Sequence, residues 1–164
     1  MQVAKELKKF LESYGIKVVL TRADGNGLYS ADATNFKESD MANRMKIIND
    51  TNPNMVISIH QNSFTDSTVK GAQAFYQENY EESKLFAEGV QSQLLSQLPN
   101  AKNECNKGDY YLLKESNYPS IIVECGYLTN KEEESMLMTE EYREKVAYAI
   151  MCGVVKYFDL CGND

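Results

Sequence analysis

Glu124 interrupts an otherwise apolar run, Ile121-Ile122-Val123-Glu124-Cys125-Gly126-Tyr127-Leu128. The run is short and β-branched and follows Tyr118-Pro119, so it reads as a buried strand. Any fold that buries it must house a carboxylate there. An ionised carboxylate buried without partners costs on the order of several kcal/mol, so such a group is paired, metal-bound or protonated. Two readings stand. Glu124 ends its strand and reaches water, or it is held in apolar surroundings with a raised pKa, as a general base for chemistry near neutral pH.

His60, the only histidine, ends a second apolar run, Met55-Val56-Ile57-Ser58-Ile59-His60, before Gln61-Asn62-Ser63. In open α/β sheets ligands collect at the carboxyl ends of strands. A lone histidine is more often structural than a ligand, and catalytic zinc takes three protein ligands.

The remaining segments alternate between helical and strand patterns. Val3, Leu7, Phe10, Leu11 and Tyr14 share a helical face that Gly15 is placed to end. Ile16 to Thr21 predicts a strand. Arg22 to Ser39 reads as a long polar loop, a length that is often functional. Asp40 to Asn49 predicts a short helix stopped before Asn52-Pro53. Met55 to His60 and Ala72 to Tyr76 predict strands. Leu85, Phe86, Val90, Leu94 and Leu98 form one helical stripe. Tyr110 to Leu113 and Ile121 to Cys125 predict further strands. Asn130 with Glu133 resembles a capping box. Val146, Ile150, Gly153, Val154 and Tyr157 mark a last helix against the sheet. The alternation predicts a single α/β domain, a mixed and mostly parallel sheet flanked by helices.

Length and charge narrow the function. A chain of 164 residues can bury a substantial core, and its 43% hydrophobic content is that of a soluble globular protein. The net charge of −7 argues against nucleic-acid binding and docking on anionic membranes. No stretch approaches a membrane span, and no signal peptide is visible. The four cysteines, Cys105, Cys125, Cys152 and Cys161, show no CxxC or zinc-ribbon spacing. Cys125 and Cys152 read as buried thiols, and a nucleophilic Cys125 paired with His60 is the weaker alternative. Tyr110-Tyr111 reads as strand packing, and Glu132-Glu133-Glu134 as a solvated first helical turn rather than a metal cluster. No GxGxxG, Walker A or GxSxG pattern occurs, which removes most support for nucleotide binding and serine-hydrolase chemistry.

In order along the chain, Gly15 to Arg22, Asn43-Arg44 with Ile47-Ile48-Asn49, Ser58-Ile59-His60-Gln61-Asn62-Ser63, Gly71 to Tyr76 and Val123-Glu124-Cys125-Gly126-Tyr127-Leu128-Thr129-Asn130 resemble one family. It is the zinc-dependent N-acetylmuramoyl-L-alanine amidases, especially their spore-cortex type. The resemblance implies a peptidoglycan hydrolase of the cell envelope or exterior that cleaves the amide between the lactyl group of N-acetylmuramic acid and L-alanine. His60 matches a zinc-binding histidine and Glu124 the catalytic glutamate, which takes a proton from a zinc-activated water. Peptidoglycan is the implied partner, with an activator protein possible. The family's opening strand, with an Asp-x-Gly-His-Gly-Gly-type segment and then a zinc-binding glutamate, has no match in this chain. Residues 1–164 are therefore expected to be an N-terminally shortened amidase-like domain that binds zinc poorly. The alternative is a metal-free wall-binding or partner-binding module that keeps the fold.

Overall fold

A computed structural model describes residues 1–78 and 80–161, without the side chains of residues 160 and 161. The elements run α1 (Gln2–Ser13), α2 (Phe36–Thr51), β1 (Val56–Asn62), β2 (Gln73–Tyr76), α3 (Glu81–Gln97), β3 (Asn106–Lys107), α4 (Tyr111–Glu115), β4 (Ser120–Tyr127), α5 (Lys131–Met138) and α6 (Glu140–Cys161). The sheet order is β1-β4-β2-β3. β1 runs parallel to β4, β2 antiparallel to β4, and β3 parallel to β2. The domain is the expected mixed, mostly parallel α/β sheet.

β4 is buried along its whole length, so both of its faces are covered. Ile121, Val123 and Cys125 point into the larger core, against α1, α3 and α6. Ile122 points the other way, into a smaller cluster with Met45 and Ile48 of α2 and Leu112 and Leu113 of α4. Side chains alternate along a strand, so Glu124 shares the face of Ile122. That face carries the smaller cluster.

Helix boundaries follow their caps. α1 buries Val3, Leu7 and Leu11 at i, i+4 spacing. Gly15 has φ +79°, and the Gly15 and Ile16 amides donate to the carbonyls of Glu12 and Leu11, a Schellman end that glycine permits. α2 starts four residues before the expected Asp40, because Asn35 caps the Glu38 amide and also hydrogen-bonds its carboxylate. In α3 the buried stripe is Phe86, Ala87, Val90 and Leu94, whereas Leu85, expected in it, is exposed.

Three other expectations are corrected. Ile16 to Thr21 is not a strand, although Ile16, Val18 and Leu20 are half-buried and Lys17 and Val19 exposed. The alternation of a strand is there, but among the described residues no neighbouring strand supplies a ladder, and the Val18 carbonyl is instead met by Lys8 Nζ at 3.0 Å. Tyr110 to Leu113 does not form a strand either. Leu112 and Leu113 are both buried, a consecutive pair that one helical turn can turn to the same cluster and a strand cannot. Cys152 is half-buried; Cys105, Cys125 and Cys152 are free thiols, and the Cys161 side chain lies outside the described residues.

The acidic run 132–134 also divides. Glu133 is fully buried, and its carboxylate accepts the Gly71 amide at 2.9 Å and the Tyr127 amide at 2.7 Å. Asn130 caps the Glu133 amide as expected, but the Glu133 side chain does not return to Asn130. Glu132 is exposed and pairs with Lys70 at 2.8 Å. Removing the Glu133 carboxylate leaves two buried amides without acceptors. Glu133→Ala is therefore expected to lower unfolding free energy by about 2–4 kcal/mol in urea titrations, and Glu132→Ala by no more than about 0.5 kcal/mol.

Candidate active site

His60 of β1 and Glu124 of β4 are register partners in adjacent parallel strands. Residues paired in this way project to the same face, so the two motifs, 64 positions apart in sequence, meet at one place on the sheet. Gln73 of β2 is the partner of Glu124 on its other side. Its side-chain amide donates to the Glu104 carbonyl at 2.8 Å. His60, Glu124 and Gln73 thus form a row across the sheet.

The row lies beside a kink. Between His60 and Asn62 the register slips, and Asn62 pairs with Tyr127. β4 holds one more residue than β1 over this stretch, a bulge at Cys125-Gly126. Gly126 has φ +147°, and a Cβ there would lie 3.3 Å from Glu133 Oε2. A glycine is needed both for the dihedral and for the close approach of the Glu133 carboxylate.

Glu124 is 4% exposed. Its Oε1 accepts a long hydrogen bond from the Tyr110 hydroxyl at 3.5 Å, and its buried Oε2 has no partner. Loss of water pushes its pKa up to about 7, and the Tyr110 hydrogen bond opposes that shift. Tyr110 in turn is pushed up to about 12 by burial and by the nearby carboxylate, so its hydroxyl stays protonated and donates. His60 sits on the exposed rim of the sheet. Its pKa is lowered, first by partial loss of water, then by Arg44, Arg22 and the amino terminus. The imidazole is therefore neutral at pH 7, the form with a lone pair for a metal or a proton.

The polar loop after Thr21 is pinned over α2 nearby. Arg44 holds Asp40 at 2.5 Å and reaches Thr21 Oγ1 at 3.4 Å. Asp40 accepts the Leu28 amide at 2.6 Å, and Asn43 donates to the Leu28 carbonyl at 2.5 Å. Asn43-Arg44 thus acts as an anchor for the loop. Cys125 points to the opposite face, fully buried, and its thiol is pushed up to about 12. A thiol there is inert toward His60, and the buried-thiol reading holds.

Among the described residues, no three His, Cys, Asp or Glu side chains are grouped to hold a metal ion. His60 is the residue suited to ligate one, and the orphaned Oε2 of Glu124 has unused capacity to accept a proton. Sequence reasoning missed Tyr110 and Gln73 as neighbours of the carboxylate. Gly108, where a Cβ would come within 2.7 Å of Tyr110 Cδ2, marks the space the tyrosine ring occupies. A cleft of about 430 Å³ opens near Gly108, lined by Gln77, Lys107 and Lys114 among others, and it touches neither His60 nor Glu124.

A family model described as N-acetylmuramoyl-L-alanine amidase matches residues 1–156. The germination-specific N-acetylmuramoyl-L-alanine amidase of Bacillus subtilis (strain 168) is 30% identical over 167 residues, covering 99% of this chain and 70% of that protein. LytC, an N-acetylmuramoyl-L-alanine amidase of the same organism, is 28% identical over 96% of this chain, which spans 30% of LytC. The CwlD amidase of Clostridioides difficile, solved in complex with the GerS lipoprotein, superposes with TM-score 0.91 at 36% identity, covering 97% of this chain and 84% of that one. The catalytic domain of the amidase CwlV from Bacillus (Paenibacillus) polymyxa var. colistinus gives TM-score 0.82 at 27% identity, with 96% and 81% covered.

The raised Glu124 pKa has a consequence for the metal-free chain. The fold favours the neutral carboxyl between the ordinary value of 4.5 and about 7. That favourable contribution is complete below pH 4.5 and is lost as pH rises through 7, with a limit of about 3 kcal/mol. Glu124→Gln mimics the neutral form. It is expected to stabilise the metal-free chain by about 1–3 kcal/mol at pH 8, with the gain vanishing toward pH 4.5 in parallel urea titrations.

Proposed function

This chain belongs to the N-acetylmuramoyl-L-alanine amidase family, and we propose that it hydrolyses the amide between the lactyl group of N-acetylmuramic acid and L-alanine in peptidoglycan. The observation that carries this reading is Glu124: a buried carboxylate with a pKa near 7, one oxygen unpartnered, next to the only imidazole. Its relatives named as amidases, two of them matched over at least 97% of this chain, favour a hydrolase over a wall-binding module.

Glu124 supplies the proton transfers. Its unpartnered Oε2 accepts a proton from the attacking water as the water oxygen bonds to the amide carbonyl carbon. The protonated carboxyl then gives that proton to the departing nitrogen as the C–N bond breaks, releasing the lactyl carboxylic acid and the free amine of L-alanine. A pKa near 7 suits both halves, since the group must gain and lose a proton at similar cost. Neutral His60 is the residue that would ligate zinc. The described residues do not complete the three-ligand set that catalytic zinc takes, so the steps assigned to this chain's own side chains are those of Glu124.

Cell-wall peptidoglycan places the action at the cell envelope. Among the described residues no helix is long and apolar enough to cross a membrane. The CwlD complex with a lipoprotein is the ground for proposing that this chain, too, works with a protein partner.

The test is release of stem peptide from purified peptidoglycan at increasing zinc. With one imidazole to offer, the chain is expected to carry well under one zinc per molecule when purified and to turn over slowly until zinc is in excess. Stoichiometric zinc with full turnover would mean that further donors exist. Glu124→Gln is expected to cut the rate by about 10²–10⁴-fold while leaving the zinc dependence unchanged. Loss of metal along with activity would make Glu124 a ligand, and no turnover at any zinc concentration would defeat the amidase reading.

A further inference from the structure

We propose that Tyr110 is a positioning residue for Glu124: its hydroxyl holds Oε1, so that Oε2 alone is left to take and return the proton. The proposal rests on the amidase reading above and deepens it.

Three features seat the tyrosine. Tyr110 is the extended N-cap residue of α4, with φ −111° and ψ 141°, and its carbonyl accepts the Lys114 amide at 3.1 Å. Its ring meets Phe75 edge-on, with centroids 5.6 Å apart and planes at 66°. Phe75 is the β2 partner of Ile122, two residues before Glu124 and on its face of the sheet. Gly108 supplies the space. Its amide donates to the Tyr76 carbonyl at 3.0 Å, which brings the chain against β2, and a Cβ there would come within 2.7 Å of the tyrosine ring. An ion pair between Lys114 and Asp109 closes the same turn.

Hydrogen bonding then makes the two carboxylate oxygens unequal. The phenol keeps its proton at neutral pH, so it donates to Oε1 at 3.5 Å whether Glu124 is charged or neutral. Oε2 is buried and unpartnered. A proton arriving at Glu124 therefore belongs on Oε2, and Oε1 stays an acceptor through the cycle. A tyrosine that only filled space would need its ring but not its hydroxyl.

Tyr110→Phe separates the two roles, because it keeps the ring against Phe75 and removes the donor. Two measurements on the 164-residue chain decide the matter. In a crystal structure of Y110F the Glu124 carboxylate is expected to leave its wild-type position or split between conformers. In assays at saturating zinc kcat is expected to fall on the order of 10-fold to 100-fold, with KM, melting temperature and half-saturating zinc unchanged. Gly108→Ala, which displaces the ring instead, is expected to lower kcat in the same way. An unmoved Glu124 carboxylate in Y110F, or an unchanged kcat in the folded and zinc-saturated variant, overturns the proposal. A fall in zinc affinity or melting temperature that matches the fall in kcat makes Tyr110 structural and overturns it as well. If the parent shows no turnover at any zinc concentration, the amidase reading fails by itself, and the position of Glu124 in the Y110F crystal still decides whether Tyr110 places it.

Discussion

The Glu133 carboxylate accepts the amides of Gly71, at the approach to β2, and Tyr127, at the end of β4. It thereby joins the first turn of α5 to the two strands that flank the site. Both strand ends carry a glycine at positive φ. Gly71 has φ +116°, and a Cβ there would strike the Asn100 carbonyl at 2.4 Å. Gly126 makes the β4 bulge directly against the carboxylate. Tyr142 of α6 completes the arrangement by donating to the Cys125 carbonyl at 3.1 Å. Backbone groups that a kinked strand end leaves without ladder partners are thus satisfied by side chains. With its end held, β4 keeps Glu124 in register with His60.

Two carboxylates nine residues apart are treated in opposite ways. Glu133 loses its water but gains two short amide donors, so its charge has fixed partners and its function is structural. Glu124 loses its water and gains one long hydroxyl bond, with its second oxygen unpartnered. Burial raises both pKa values, but only at Glu124 is proton capacity left over for chemistry. Local composition hides only one of them: Glu133 sits in an acidic run that looks solvated, whereas Glu124 stands out in its apolar run.

Much of the fold was legible because its signals are short-range. The i, i+4 spacing of Val3, Leu7 and Leu11 with Gly15 behind them defined α1 and its end. The β-branched run around Glu124 defined β4, and Asn130 with Glu133 marked the start of α5. Failures came where a distant partner decides. Ile16 to Leu20 alternates like a strand, yet a strand is defined by a neighbour, and among the described residues none lies alongside it. Tyr110 and Tyr111 have strand-forming side chains, but Leu112 and Leu113 both reach the cluster on α2, which selects a helical turn. The resemblance to amidases paired His60 and Glu124 in function, and the parallel register of β1 and β4 places them side by side.

The sequence by itself determined the buried face of α1 and its glycine end, the capped start of α5, and that a buried strand must carry a carboxylate. Each of these follows from residues within a few positions of one another, where propensity, capping and periodicity act. The tertiary structure decided what that carboxylate can do. Desolvation, the single donor from Tyr110, the imidazole of His60 in register and the clip of Glu133 all come from residues brought together across the sheet. A pKa depends on what surrounds a group in space, and for Glu124 those surroundings are assembled from β1, β2 and the tyrosine that caps α4 rather than from its own strand.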